Sequence, residues 1–133
     1  MKNTRIKTIF GILALLSVLI AYVPAFADKK SPKISFKETV YDFGQISLKA
    51  GKVSHEFAFS NAGSGNLVIT NARADCGCTR PEYSDAPVAP GKNGNVKVTF
   101  APAAKGYFSK KITITTNGSP RKTRLLIKGE VVE

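Results

Sequence analysis

The residues of this 133-residue chain whose types and spacing could do chemistry lie in one run, Cys76-Gly77-Cys78-Thr79-Arg80. Two thiols separated by a single residue can close a small disulfide ring. The Cα separation a bridge needs, ~4.4–6.8 Å, is reachable when the backbone between them bends. Gly77 is read as the residue that permits this bend. The pair then has three readings. It is a local clip that shapes a loop between two strands; it is an exchangeable dithiol made labile by the tightness of its ring; or its two thiolates hold a soft metal such as monovalent copper. Asp75 and Arg80 flank the motif with opposite charges, and each would shift the stability of a thiolate against the other. His55, the one histidine, becomes a third metal ligand only if its strand approaches the cysteine loop. Its place in phase with Val53, Phe57 and Phe59 instead reads as an imidazole at a core edge, with one nitrogen satisfied.

Other fragments give no chemistry. Two Cys and one His leave no room for a four-ligand Cys/His zinc site. Gly63-Ser64-Gly65 lacks the strand-to-helix context of a nucleophile elbow and reads as a hairpin loop. Asn117-Gly118-Ser119 spells a glycosylation sequon, but Pro120 follows, and a turn is the better reading. The acids Glu38, Asp42, Glu56, Asp75, Glu82 and Asp85 are dispersed, so general acid–base chemistry has no visible home. No catalytic residue, resident metal or cofactor is expected.

The N-terminus carries an address. Lys2, Arg5 and Lys7 precede an uncharged stretch from Thr8 to Ala27, whose apolar run Ile9–Val23 is interrupted only by Gly11 and Ser17. Pro24 stops the helical pattern, and Ala25-Phe26-Ala27 supplies small residues where a signal peptidase reads. The 15-residue run falls short of the ~20 residues a membrane-spanning helix needs. Residues 1–27 are therefore read as a cleaved signal peptide rather than a retained anchor, leaving no stable membrane span. Cleavage removes three cations and no acid, so 106 residues remain with 17 Lys+Arg against 9 Asp+Glu, or +8. The expected setting is outside the cytoplasm, in the periplasm or cell envelope or secreted. There the anionic partners are lipid headgroups and acidic polymers, and nucleic acid is not expected. In that oxidising compartment Cys76 and Cys78 are expected to be joined.

The elements that must position these residues read as strands. Asp28–Lys33 is polar and contains Pro32, which suggests a flexible leader. Beyond it the period is two: Val53, His55, Phe57 and Phe59 alternate with Ser54, Glu56, Ala58 and Ser60. Val96, Val98 and Phe100 repeat the pattern, as do Phe108, Ile112 and Ile114, then Leu125, Ile127 and Val131. Such alternation marks half-buried strands. Turn signals lie at short intervals between them, including Asn61 to Asn66, Pro90-Gly91 and Asn117 to Pro120. No helix longer than a turn is supported. Seven or eight strands over residues 34–133 predict an all-β, immunoglobulin-like antiparallel β-sandwich. The chain has no Trp, and its two cysteines are too close to pin opposite sheets. The core must then rest on Phe36, Phe43, Phe57, Phe59, Phe100, Phe108 and their aliphatic neighbours.

Several motifs support the same fold. They are Glu38-Thr39 with Tyr41-Asp42-Phe43-Gly44-Gln45-Ile46, then His55-x-Phe57-x-Phe59-x-Asn61-x-Gly63, and Cys76-Gly77-Cys78-Thr79. Pro90-Gly91-x-x-Gly94, Gly106-x-Phe108-x-Lys110-x-Ile112, Asn117 and Ile127-x-Gly129 complete the set. Together they resemble the bacterial domain-of-unknown-function 1573 family, relatives of the Hydin-type immunoglobulin-like domains, from Phe36 to about Val132. The resemblance implies a sandwich and an exported, often cell-envelope, setting, and it brings no catalytic residues. The expected function is a non-enzymatic binding or structural module of the envelope. Its partner would be a protein or an anionic envelope component, met through loops or by adding a strand to an exposed edge. The alternative is a thiol-based redox or soft-metal role for Cys76 and Cys78.

Overall fold

The computed structural model describes residues 29–133, so the expected signal peptide and its cleavage site lie outside the described residues. Alternating sequence becomes eight strands: β1 Ile34–Phe36, β2 Val40–Ser47, β3 Val53–Asn61, β4 Ile69–Ala74, β5 Thr79–Tyr83, β6 Asn93–Phe100, β7 Gly106–Thr116 and β8 Lys122–Val132. A single 3-10 turn, Leu48–Ala50, is the helical content of the described residues. The strands form two four-stranded sheets, ordered β1-β3-β6-β5 and β2-β8-β7-β4. Their inner faces meet as an immunoglobulin-like sandwich.

The period of two sets what each sheet buries. In β3 and β6 the inward residues Phe57, Phe59, Val96, Val98 and Phe100 are buried, and β7 and β8 answer with Ile112, Ile114, Leu125 and Ile127. Phe36, Phe43 and Phe108, expected in the core, are half-buried at its rim instead. The centre is completed by Leu67 and Ile69.

Two further expectations change. The antiparallel order has one exception, because β2 runs parallel to β8. β1 lies in the first sheet and Lys37–Thr39 carries the chain across to the second, so β2 arrives beside the last strand in the same direction. The second change concerns the leader, whose last part is anchored rather than loose. Ser31 and Ser64 exchange bonds, with Ser31 N–H donating to Ser64 Oγ at 3.1 Å and Ser64 N–H to Ser31 O at 2.8 Å. Ala62 N–H donates to Lys33 O and Ser119 N–H to Pro32 O. The approach is so close that a Cβ on Gly63 would overlap the Ser31 carbonyl oxygen. Backbone pairing therefore holds a segment whose composition reads as linker.

The sheet edges are blunted. β1 is three residues long, and β5 contains Pro81, which has no N–H to offer. The register of β4 shifts between Ile69 and Asn71, and that of β2 between Asp42 and Gln45. Within the β2 shift, Gly44 sits at φ 65° and gives its N–H to Asp42 Oδ1 at 2.8 Å. Bulges, proline and short length are how sandwiches avoid adding strands.

Candidate functional site

The cysteine motif forms the corner where the chain leaves β4 in one sheet and enters β5 in the other. Cys76 and Cys78 are joined in a disulfide with a Cα separation of 5.3 Å. Both sides of the corner are tied down. Asp75 N–H donates to Lys111 O on β7 at 3.1 Å, and Ala101 N–H, just past β6, donates to Cys78 O at 2.8 Å. Inside the ring Cys78 N–H donates to Cys76 Sγ at 3.1 Å. Cys78 packs half-buried against the core, and Thr79 beside it is buried. Gly77 plays a smaller part than its type suggests. Its φ is not positive, and a Cβ there would meet open space, so the bend does not require glycine.

The flanking charges do not converge on the sulfurs. Asp75 Oδ1 accepts the Lys111 N–H at 3.3 Å. The Arg80 side chain is 82% exposed, and its guanidinium lies 3.9 Å from Glu82. His55 is also elsewhere. It faces Val98 on β6, and β5 lies beyond β6, so two strand spacings, about 10 Å, separate β3 from β5, the strand that the cysteine corner enters. Its ring stacks on Tyr41 of the opposite sheet with centroids 3.5 Å apart and meets Phe57 edge-on. His55 Nε2 lies 2.5 Å from Glu38 Oε1, within hydrogen-bond distance. This is the core-edge imidazole expected from its spacing. Among the described residues, no group of three or more His, Cys, Asp or Glu side chains is placed to share a metal ion.

Sequence reasoning missed a second feature. On the outer face of β2, β8 and β7 lies a groove of about 340 Å³, lined by Asp42, Gln45, Tyr107, Ser109, Lys128 and Glu130 around Gly44, Phe108 and Gly129. Among its lining residues Gly129 admits no side chain, since a Cβ there would come within 2.8 Å of the Gly44 carbonyl oxygen and 2.9 Å of the Phe108 ring. Tyr107 stands on its wall 87% exposed. The available signal was parity, since Tyr107 is out of phase with the inward Phe108 and Ile112.

Comparison with known proteins settles the family. A family model described as "Protein of unknown function (DUF1573)" matches residues 34–131, from the first residue of β1 into β8. The chain belongs to the DUF1573 family. All eight strands of this DUF1573 domain fall within the match or begin inside it. It is 26% identical over 106 residues to the Hydrocephalus-inducing protein of Mus musculus, covering 76% of this chain and 2% of the mouse protein. A protein of unknown function from Porphyromonas gingivalis W83 superimposes with a TM-score of 0.68 at 16% identity, over 82% of this chain and 51% of that one. The ASH/PapD-like domain 7 of human CEP192 does so with a TM-score of 0.60 at 14% identity, over 84% of this chain and 93% of that one. At such identities the two solved structures speak for the fold alone. The chain spans about half of the P. gingivalis chain and a small fraction of the mouse protein.

Proposed function

We propose that this DUF1573 domain is a non-enzymatic binding module that works in the cell envelope after export. The observation that carries it is Tyr107, an 87% exposed aromatic in a groove that Gly44 and Gly129 also line. A tyrosine so placed costs solvation and offers a large contact area at low entropic cost, which is how binding surfaces use it. The blunted edges favour contact through this face over an added strand. Export draws support from the basic start, short apolar run and Ala25-Phe26-Ala27 ending of the chain.

The groove is testable in living cells. A photo-crosslinking phenylalanine analogue at Tyr107 should give a discrete covalent adduct in the envelope fraction, and the same label at Thr99 on the opposite face should give none. Equal adducts at both positions, or none at Tyr107, would remove the groove from the function.

A thiol-exchange role is the second reading, favoured by one contact. The Cys78 N–H that donates to Cys76 Sγ places a hydrogen-bond donor on that sulfur, where an exchange step would develop charge. Protein alkylated directly in cells is expected to be unlabelled and two hydrogens lighter than its reduced form by intact mass. Uptake of two labels by the envelope protein would transfer the weight to exchange.

A further inference from the structure

A third surface, on the other half of the same sheet, has the chemistry of an anion site. Arg73 on β4 stands directly opposite Thr113 on β7, and Thr113 directly opposite Arg124 on β8. Lys111 lies two residues along β7 on the same outward side. These residues, with Ala74 and Asp75, line a recess of about 450 Å³. Two guanidiniums thus flank one hydroxyl from either side, and an ammonium closes the third.

The recess is neutralised only in part from within, with three cations against one carboxylate. Its one carboxylate, Asp75, accepts the backbone N–H of Lys111. The ion pairs among the described residues are His55–Glu38, Arg80–Glu82 and Lys105–Glu133, and none includes Arg73, Lys111 or Arg124. The opposite outer face is built differently. There Glu56, Lys97 and Glu82 stand in one cross-strand row, acid, base, acid. Charges opposed across strands stabilise a sheet, and like charges gathered at one place cost it stability. A face that needed only solubility would follow the first arrangement. An anion from outside would relieve the cation–hydroxyl–cation row.

We propose that this recess binds a phosphate monoester. Planar guanidiniums at Arg73 and Arg124 suit bidentate contacts to phosphate oxygens, Lys111 adds a point charge, and the Thr113 hydroxyl donates between them. Three cations lining a single recess suit a compact dianion, whereas an extended polyanion calls for charge continued along the strands. The proposal rests on the reading of the domain as a binding module and adds a ligand class on a surface separate from the Tyr107 groove.

The test is a titration of the purified protein with inorganic phosphate, followed by amide NMR at constant ionic strength. Saturable shifts confined to Arg73, Lys111, Thr113 and Arg124 are expected. An Arg73→Ala, Arg124→Ala double variant should weaken binding at least tenfold with an unchanged thermal midpoint. Thr113→Val should weaken it by a smaller factor, and an Arg80→Ala, Lys97→Ala control on the opposite face should leave it unchanged. Shifts that do not saturate and spread over lysines of both faces, or equal weakening by the control, would overturn the site. Sedimentation with phosphatidylcholine vesicles containing phosphatidic acid, but not with phosphatidylcholine alone, assigns the monoester to a lipid. Phosphate saturation without sedimentation assigns it to a soluble ester. Phosphate binding without Tyr107 adducts removes the groove and keeps the recess; adducts without saturation do the reverse.

Discussion

Replacing Phe57 by Ala is expected to cost about 3–5 kcal/mol, close to the whole stability of a small domain. Phe57 is fully buried near the middle of β3, opposite Val96 and with the His55 ring edge-on at 4.8 Å. Its removal leaves a cavity between two sheets that cannot both close around it. Glu56, one residue earlier, points outward opposite Lys97, and Glu56→Ala should cost about 0.5 kcal/mol or less. Denaturant midpoints measure both. Equal shifts would mean that β3 sits one residue out of register, because a single-residue slip exchanges the two faces of a strand.

The second large effect is expected at Asn61, a polar residue only 1% exposed. Its Nδ2 donates to Gly65 O at 2.7 Å and to Val88 O at 2.8 Å. Its Oδ1 accepts from Gly63 N–H at 3.0 Å and Lys33 N–H at 3.3 Å. One side chain thus joins the turn after β3, the segment before β6 and the anchored N-terminal strap. Asn61→Ala leaves these backbone groups without their partner at a cost of about 3 kcal/mol, since a buried polar group left unpaired carries its full desolvation penalty. Asn61→Asp keeps an acceptor for the two N–H groups but faces two carbonyl oxygens with a carboxylate, so it should destabilise at least as much. Asn66→Ala, an exposed asparagine in the same loop, should stay within about 0.5 kcal/mol. The Asn61 variants should also speed amide exchange at Lys33. If Asn61→Ala costs no more than Asn66→Ala, the loop is held by its backbone pairing alone.

Asn61 shows how sequence legibility reached its limit. Its type, beside Gly63 and Gly65, reads as turn, and turn composition outweighed the parity it shares with Phe57 and Phe59. The same conflict hid the strap: Ser31–Lys33 has the polarity of a linker, but its hydrogen-bond partners are residues 61, 62, 64 and 119, far along the chain. In both cases the deciding partners are distant, and local composition carries no record of them.

The sequence by itself determined which residues turn inward. Alternation in β3, β6, β7 and β8 placed Phe57, Phe59, Val96, Val98, Phe100, Ile112, Ile114, Leu125 and Ile127 on buried faces, because a strand with one wet face admits a single phase. It also placed His55 at a core edge and the two thiols within reach of each other. Only the tertiary structure decided which strands become neighbours. Strand order put β6 between His55 and the cysteine corner, laid β2 parallel to β8, brought Tyr41 across to stack on His55, and aligned Arg73, Thr113 and Arg124 in one row. Parity is a local property enforced by burial at every second residue. Lateral order is set by where each connection crosses between the sheets, and the energy that selects it lies in contacts between residues remote in the chain.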